Sequence, residues 1–215
     1  MTNEGYNGKL FTTEMKTAIH EAGHFVMMLL LTKHAPFYVH VSKKYVRGVT
    51  IQTLTPKKFE ERALVLFAGY AAEKVFDGGA VCDDISTYMH HDDSDFQMYL
   101  DDCREQSGKE TISGDSYVLA LELFKKAQQI LLSSKALLFH LASELMDRHE
   151  LSYEEIKDYC HDNAEAFPIL KSALFDKFSS IERLLFENDV LMYRAEGTLI
   201  ELDDIIEVIK SNANV

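Results

Sequence analysis

Five consecutive residues, His20-Glu21-Ala22-Gly23-His24, place two imidazoles and a carboxylate at a spacing that suits metal chemistry. On a helix, positions i and i+4 project from the same side, so both histidines can address one ion. A catalytic zinc site takes three protein ligands and leaves a position for water. Zinc lowers the pKa of that water toward about 7. Glu21, one residue after the first ligand, stands where a general base would take its proton and return it to a leaving amine. Gly23 inside a helix costs about 1 kcal/mol against Ala, which implies that something packs close to the metal face.

A third ligand has to come from outside the motif. Glu73, Asp84, the run His90-His91-Asp92-Asp93 and Asp95 all carry suitable side chains. Glu73 would supply a glutamate from a second helix. Asp95 would begin a helix, where the dipole favours an ionised carboxylate. The residues by themselves leave this choice open.

The elements that must hold these groups read as follows. A helix is expected from about Thr13 to Lys33, capped by Thr12 or Thr13, with Ile19, Gly23, Val26, Met27 and Leu30 at helical spacing. Two short strands follow, Phe37 to Val41 and Val46 to Leu54, with Gly48 as a bend or bulge. Thr55-Pro56 reads as a helix start with Pro at the first position, and Asp77-Gly78-Gly79 as its end. Ser94-Asp95-Phe96-Gln97 has capping-box spacing and opens a helix to about Gln106. Two amphipathic helices, about Asp115 to Leu132 and Ser134 to Arg148, precede a second capping box at Ser152-Tyr153-Glu154-Glu155. Beyond that, Ile169 to Phe186 reads as helix, Val190 to Tyr193 with Thr198 to Leu202 as a hairpin, and Asp203 to Ser211 as a final helix. The fold class is mainly α (α+β), with a small β-sheet beside the metal-binding helix. A domain over residues 1–163 is followed by a C-terminal helical extension over 164–215.

Composition narrows the function. The 215 residues carry 22 basic and 35 acidic side chains, a net charge of -13, with no basic run, so nucleic acid is not an expected partner. Cys82, Cys103 and Cys160 form no C-x-x-C pair, which fits a reducing compartment and excludes a thiolate zinc site. The apolar run Phe25 to Leu31 is far below the roughly 20 residues of a membrane span. A soluble, cytoplasmic protein without membrane attachment is expected.

In several stretches, in order, the chain resembles the peptidase domain of the FtsH-type ATP-dependent zinc metalloproteases. Met15 to His24 is similar to that family's metal-binding helix, including Ala-Gly between Glu and His. Val39-His40-Val41 with Arg47-Gly48-Val49-Thr50 looks like the strand pair after it. Leu66-Phe67-Ala68-Gly69-Tyr70-Ala71-Ala72-Glu73 resembles its L-x-G-R-x-A-E helix, with Tyr70 in place of Arg. Lys126 to Ile156 looks like the closing helices. The resemblance covers about Thr13 to Tyr159. It implies Zn2+ held by His20, His24 and an aspartate that begins a helix, for which Ser94-Asp95-Phe96 is the match. A rival alignment on Gly79-Ala80 would instead make Asp83 or Asp84 the ligand, and Glu73 aligns with a position that is not a ligand. The resemblance also implies that the edge strand, at Val49, Thr50 and Ile51, holds an extended substrate.

The family joins this domain to a membrane anchor and an AAA+ motor, and this sequence has no G-x-x-x-x-G-K-[ST] loop. The resemblance therefore implies a separate ATPase partner for folded substrates and allows for a homo-oligomer. The expected function is a zinc metalloendopeptidase acting on unfolded or extended polypeptides, with Glu21 as catalytic base. The alternative is a catalytically silent zinc-binding adaptor or regulatory relative.

Overall fold

The computed structural model describes residues 12–41, 48–51, 56–78, 94–108 and 114–175, with the side chains of Val49, Ile51 and Ser94 outside that description. Among the described residues the chain is mainly helical with a small antiparallel sheet. The first helix, α1 (Thr13–Thr32), is capped by the Thr12 side chain, which accepts from the Met15 amide at 3.2 Å. It ends as Lys33 turns into the left-handed region at φ 66. Ala18, Ala22, Phe25, Val26 and Leu29 on α1 are fully buried. That degree of burial is why this helix, rather than a surface one, can carry a metal motif in the core.

The strands β1 (Tyr38–Val41) and β2 (Gly48–Ile51) pair antiparallel, with Val39 opposite Thr50 and Val41 opposite Gly48. On the other side of β1 lies a two-residue strand, β3 (Glu150–Leu151), with Val39 opposite Leu151. Among the described residues the order β2-β1-β3 makes β2 an edge. β3 is too short to show alternation in the sequence. Gly48 keeps register as a strand residue, so the expected bend is not there; the reason for glycine lies in the site.

The second helix, α2 (Phe59–Phe76), starts three residues later than Pro56 implied. Pro56 and Lys57 remain outside it because their carbonyls accept from the Arg62 guanidinium, at 3.4 and 2.9 Å. The same guanidinium donates through Nε to Asp102 of α3 (Ser94–Ser107) at 2.8 Å. That link, with Phe96, Tyr99 and Leu100 buried, seats α3 on α2. The Tyr99 hydroxyl donates to the Ser116 carbonyl at 2.7 Å, tying α3 to α4 (Gly114–Ser133).

Helices α5 (Lys135–Arg148) and α6 (Tyr153–Asp162) complete the core; the Ser152 capping box forms as its spacing implies. The expected helix from Ile169 does not begin as one. Pro168–Ser172 is a single 3-10 turn, after which Leu174 lies beside His34, its amide donating to the Lys33 carbonyl at 2.7 Å and its carbonyl accepting from the Ala35 amide at 3.0 Å. Those extended bonds outweigh helical spacing. Leu170 is buried and Phe167, Ile169 and Phe175 pack on the same core, so residues 167–175 belong with the preceding helices. The expected hairpin and final helix lie outside the described residues. No described helix is long and apolar enough to cross a membrane.

Candidate metal centre

The i, i+4 spacing on α1 brings His20 and His24 side by side, ring centroids 4.8 Å apart. Asp95, in the first turn of α3, meets both: its Oδ2 lies 3.4 Å from His20 Nε2 and 3.3 Å from His24 Nε2. These three residues form a cluster that can hold a metal ion, with donor atoms all within 4.8 Å of one another. For charge-assisted hydrogen bonds, usually about 2.7–2.9 Å, both spacings are long. Two atoms bound at about 2.0–2.1 Å to one tetrahedral ion stand about 3.3–3.4 Å apart. The two spacings to Asp95 therefore match those of atoms that share one ion.

What lies behind the histidines fits the same use. His20 Nδ1 is 2.8 Å from Glu73 Oε1, and His24 Nδ1 is 2.8 Å from the Val65 carbonyl oxygen. Both partners can only accept, so each Nδ1 carries the hydrogen, and in the neutral ring the lone pair sits on the Nε2 that faces Asp95. Glu73 thus lies behind His20, on the ring nitrogen turned away from Asp95, and outside the donor cluster found among the described residues. Asp83, Asp84 and His90 to Asp93 lie outside them.

Two glycines of this region are explained by contact. A Cβ on Gly69 would stand 2.3 Å from His20 Nε2, so α2 needs a bare backbone where the ring lies. Tyr70 packs edge-on against the same ring, centroids 4.7 Å apart. Gly23 faces α2, where a Cβ would meet the Ala68 carbonyl oxygen at 2.4 Å and Ala72 Cβ at 2.7 Å. The close neighbour inferred from Gly23 is therefore helix α2, which supplies both histidines with their partners.

Glu21 is only 4% exposed and points at the sheet. Its carboxylate Oε2 accepts from the Thr50 hydroxyl at 2.7 Å. β2 crosses so near that a Cβ on Gly48 would be 2.4 Å from Glu21 Cγ. Thr50, on the strand expected to hold substrate, has its side chain on Glu21; the side chains of Val49 and Ile51 lie outside the described part. The Thr50 hydroxyl, the Gly48 gap, the Gly69 cradle and the Val65 carbonyl were not read from sequence. Only the i, i+4 pair Gly69 and Glu73 offered a signal, as two residues on one face of α2.

Charge couples these groups in the metal-free chain. Burial disfavours the charged form of His20, but hydrogen bonds to Asp95 and Glu73 and the nearby Glu21 charge outweigh it and hold its pKa well above 6.5. His24 shows the same balance, with burial overcome by the charge and hydrogen bond of Asp95. Burial also opposes ionisation of Asp95, yet the His24 charge and hydrogen bonds from both rings hold it far below the ordinary carboxylate range. Glu21 goes the other way: burial raises it, and His20, His24 and Thr50 offset only part of that.

No family model matches the chain, and no curated protein matches it.

Proposed function

We propose that the chain is a zinc-dependent metalloendopeptidase of the FtsH peptidase type, hydrolysing peptide bonds in unfolded or extended polypeptides. One observation carries this reading: the Nε2 atoms of His20 and His24 converge on Asp95 Oδ2 while both Nδ1 atoms are held from behind, with the Glu21 carboxylate beside them. Two imidazoles and one carboxylate would hold zinc, and the same set also suits iron(II). The buried carboxylate next to the first ligand favours hydrolysis, since it is the base that zinc hydrolysis requires.

Bound zinc would supply Lewis-acid polarisation of the scissile carbonyl and activation of the attacking water. Glu21 would take one proton from the attacking water as its oxygen adds to the carbonyl carbon, and would deliver it to the amide nitrogen as the C–N bond breaks. Burial raises its pKa above the ordinary glutamate value, the direction that helps a group donate as well as accept. Thr50 holds the carboxylate in place through Oε2. The backbone of Val49 to Ile51, on the edge strand β2, can add an extended peptide as a further strand. Folded substrates would need a separate ATPase partner, as the resemblance implies.

Casein incubated with the zinc-loaded protein tests this. Wild type should cut it. Glu21→Gln should retain its metal and lose turnover by about 10²–10⁴-fold. A zinc-loaded wild type that leaves casein and unfolded reporters intact would favour the adaptor alternative instead.

A further inference from the structure

The two histidines of the cluster are held unequally. Behind His24 Nδ1, at 2.8 Å, stands the Val65 carbonyl, part of the α2 backbone and fixed with it. Behind His20 Nδ1, at the same distance, stands the carboxylate of Glu73, a side chain with rotamers of its own. One hydrogen bond to such a partner decides which nitrogen carries the hydrogen but leaves the ring able to swivel about that bond. Helix α2 supplies the missing constraint. At Gly69 the bare backbone lies against the imidazole, since a Cβ there would stand 2.3 to 2.4 Å from Nε2, Cδ2 and Cε1. The next residue, Tyr70, sets its ring across the imidazole at 87°, with centroids 4.7 Å apart, the geometry of a favourable perpendicular pair. We propose that Tyr70 is a positioning residue of the metal centre: its ring fixes the plane of the His20 imidazole, as Glu73 fixes the tautomer, so that Nε2 meets the ion already oriented.

Packing alone does not call for this side chain. Tyr70 is the one bulky residue in the run Ala68-Gly69-Tyr70-Ala71-Ala72. Its alanines are fully buried, and Ala68 and Ala72 are the residues against which Gly23 closes. Small side chains therefore seat α2 on α1, and the aromatic ring is spent on His20. It is also where this chain departs from the L-x-G-R-x-A-E pattern, so the support is its own. The His20 and His24 rings touch as well, centroids 4.8 Å apart, so the plane of one bears on the other. A ring freed to hold the binding orientation only about a tenth of the time lowers metal affinity about tenfold.

Zinc affinity, by competition with a chelating dye, is measured for wild type, Tyr70→Phe, Tyr70→Leu and Tyr70→Ala. Each is also loaded with cobalt(II), whose visible absorption reports the ligand geometry. Tyr70→Phe keeps the ring and should match wild type within about twofold, with the same cobalt spectrum. Tyr70→Leu and Tyr70→Ala should bind zinc about tenfold more weakly, with an altered spectrum. Because Glu73 and Tyr70 constrain one ring, Tyr70→Ala should cost less affinity in a Glu73→Ala background than in wild type. Melting of the metal-free variants gives the share that is packing, and Tyr70→Leu carries the test where Tyr70→Ala does not fold.

Wild-type affinity and cobalt spectrum in Tyr70→Leu, whatever its melting temperature, make Tyr70 a packing residue and overturn the proposal. A Tyr70→Phe as weak as Tyr70→Ala overturns the assignment to the ring. Equal costs with and without Glu73 overturn joint action on His20. The proposal rests on the metal reading of His20, His24 and Asp95, not on cleavage. A Tyr70-dependent zinc site in a protein that leaves casein intact supports it and overturns the peptidase. A wild type that takes up neither zinc nor cobalt overturns both.

Discussion

The Thr50 hydroxyl donates to the Glu21 carboxylate at 2.7 Å, with the Glu21 backbone carbonyl 3.2 Å from the same oxygen. The edge strand is thereby fastened to the residue between the two histidine turns, and Gly48 provides the clearance. A strand that would carry substrate and a carboxylate that would move the proton are one mechanical unit.

Removing that hydroxyl has a defined sign. The hydrogen bond lowers the Glu21 pKa against the larger upward push of burial, so Thr50→Val should raise it further. A base must be ionised to act, and activity is lost as pH falls through its pKa. The acid limb of the kcat/KM profile should therefore move to higher pH, with roughly tenfold lower activity below that limb, consistent with about 1.5–3 kcal/mol for a hydrogen bond to a charged group. Metal content should not change, and Thr50→Ser should restore the profile.

Glu73 offers a way to separate orienting from ligating. Glu73→Gln keeps an acceptor for His20 Nδ1 but loses the charge; Glu73→Ala loses both. Zinc affinity, measured by competition with a chelating dye, should fall about 10–100-fold in Glu73→Ala and less in Glu73→Gln. Asp95→Ala should weaken binding beyond either. Equal losses in Glu73→Ala and Asp95→Ala would make Glu73 a ligand.

How far the sequence reaches follows from the range of each contact. His20, Glu21 and His24 are legible because their geometry is internal to one helix. Asp95 was favoured because the resemblance calls for an aspartate that begins a helix, and the structure brings it to both histidines. Glu73 was noticed as a rival ligand and Thr50 as part of the strand expected to hold substrate. Their actual partners lie 53 and 29 positions away and depend on how α2 and β2 dock on α1. β3 and the extended run at Leu174 are set by pairing with β1 and by the Lys33 and Ala35 backbone, which no local period encodes. Arg62 explains the late start of α2 in the same way, by taking two carbonyls that helix would otherwise include.

The metal-free protein and the stabilisation that zinc adds should respond oppositely to pH. His20 and His24 have folded pKa values raised above 6.5, so the stability they contribute is complete below the unfolded value and is lost as pH rises through the folded ones. Asp95, depressed, contributes above its unfolded value of about 3.9, and that is lost only as pH falls through the folded one. From pH 6 to pH 9 the melting temperature with chelator should therefore fall. Zinc competes with those same protons, so the stabilisation it adds should grow over that range. Parallel curves with and without chelator would contradict a shared site.

Two glycines should fail for different reasons. Gly23→Ala gains about 1 kcal/mol of helix propensity but drives a methyl against the Ala68 carbonyl and Ala72, so a net loss of about 1–3 kcal/mol is expected in denaturant titrations. Gly69→Ala presses on the His20 ring and should lose zinc affinity out of proportion to stability. Gly114→Ala, with nothing within 4 Å, should be neutral or slightly stabilising.

The most direct test of the metal centre is a crystal structure of the zinc-loaded protein with anomalous differences recorded at the zinc edge. One peak is predicted about 2.0–2.2 Å from His20 Nε2, His24 Nε2 and an Asp95 carboxylate oxygen, with Glu73 still on His20 Nδ1. A peak ligated by Glu73 or by another acidic residue in place of Asp95, or no peak between the histidines, would contradict the account.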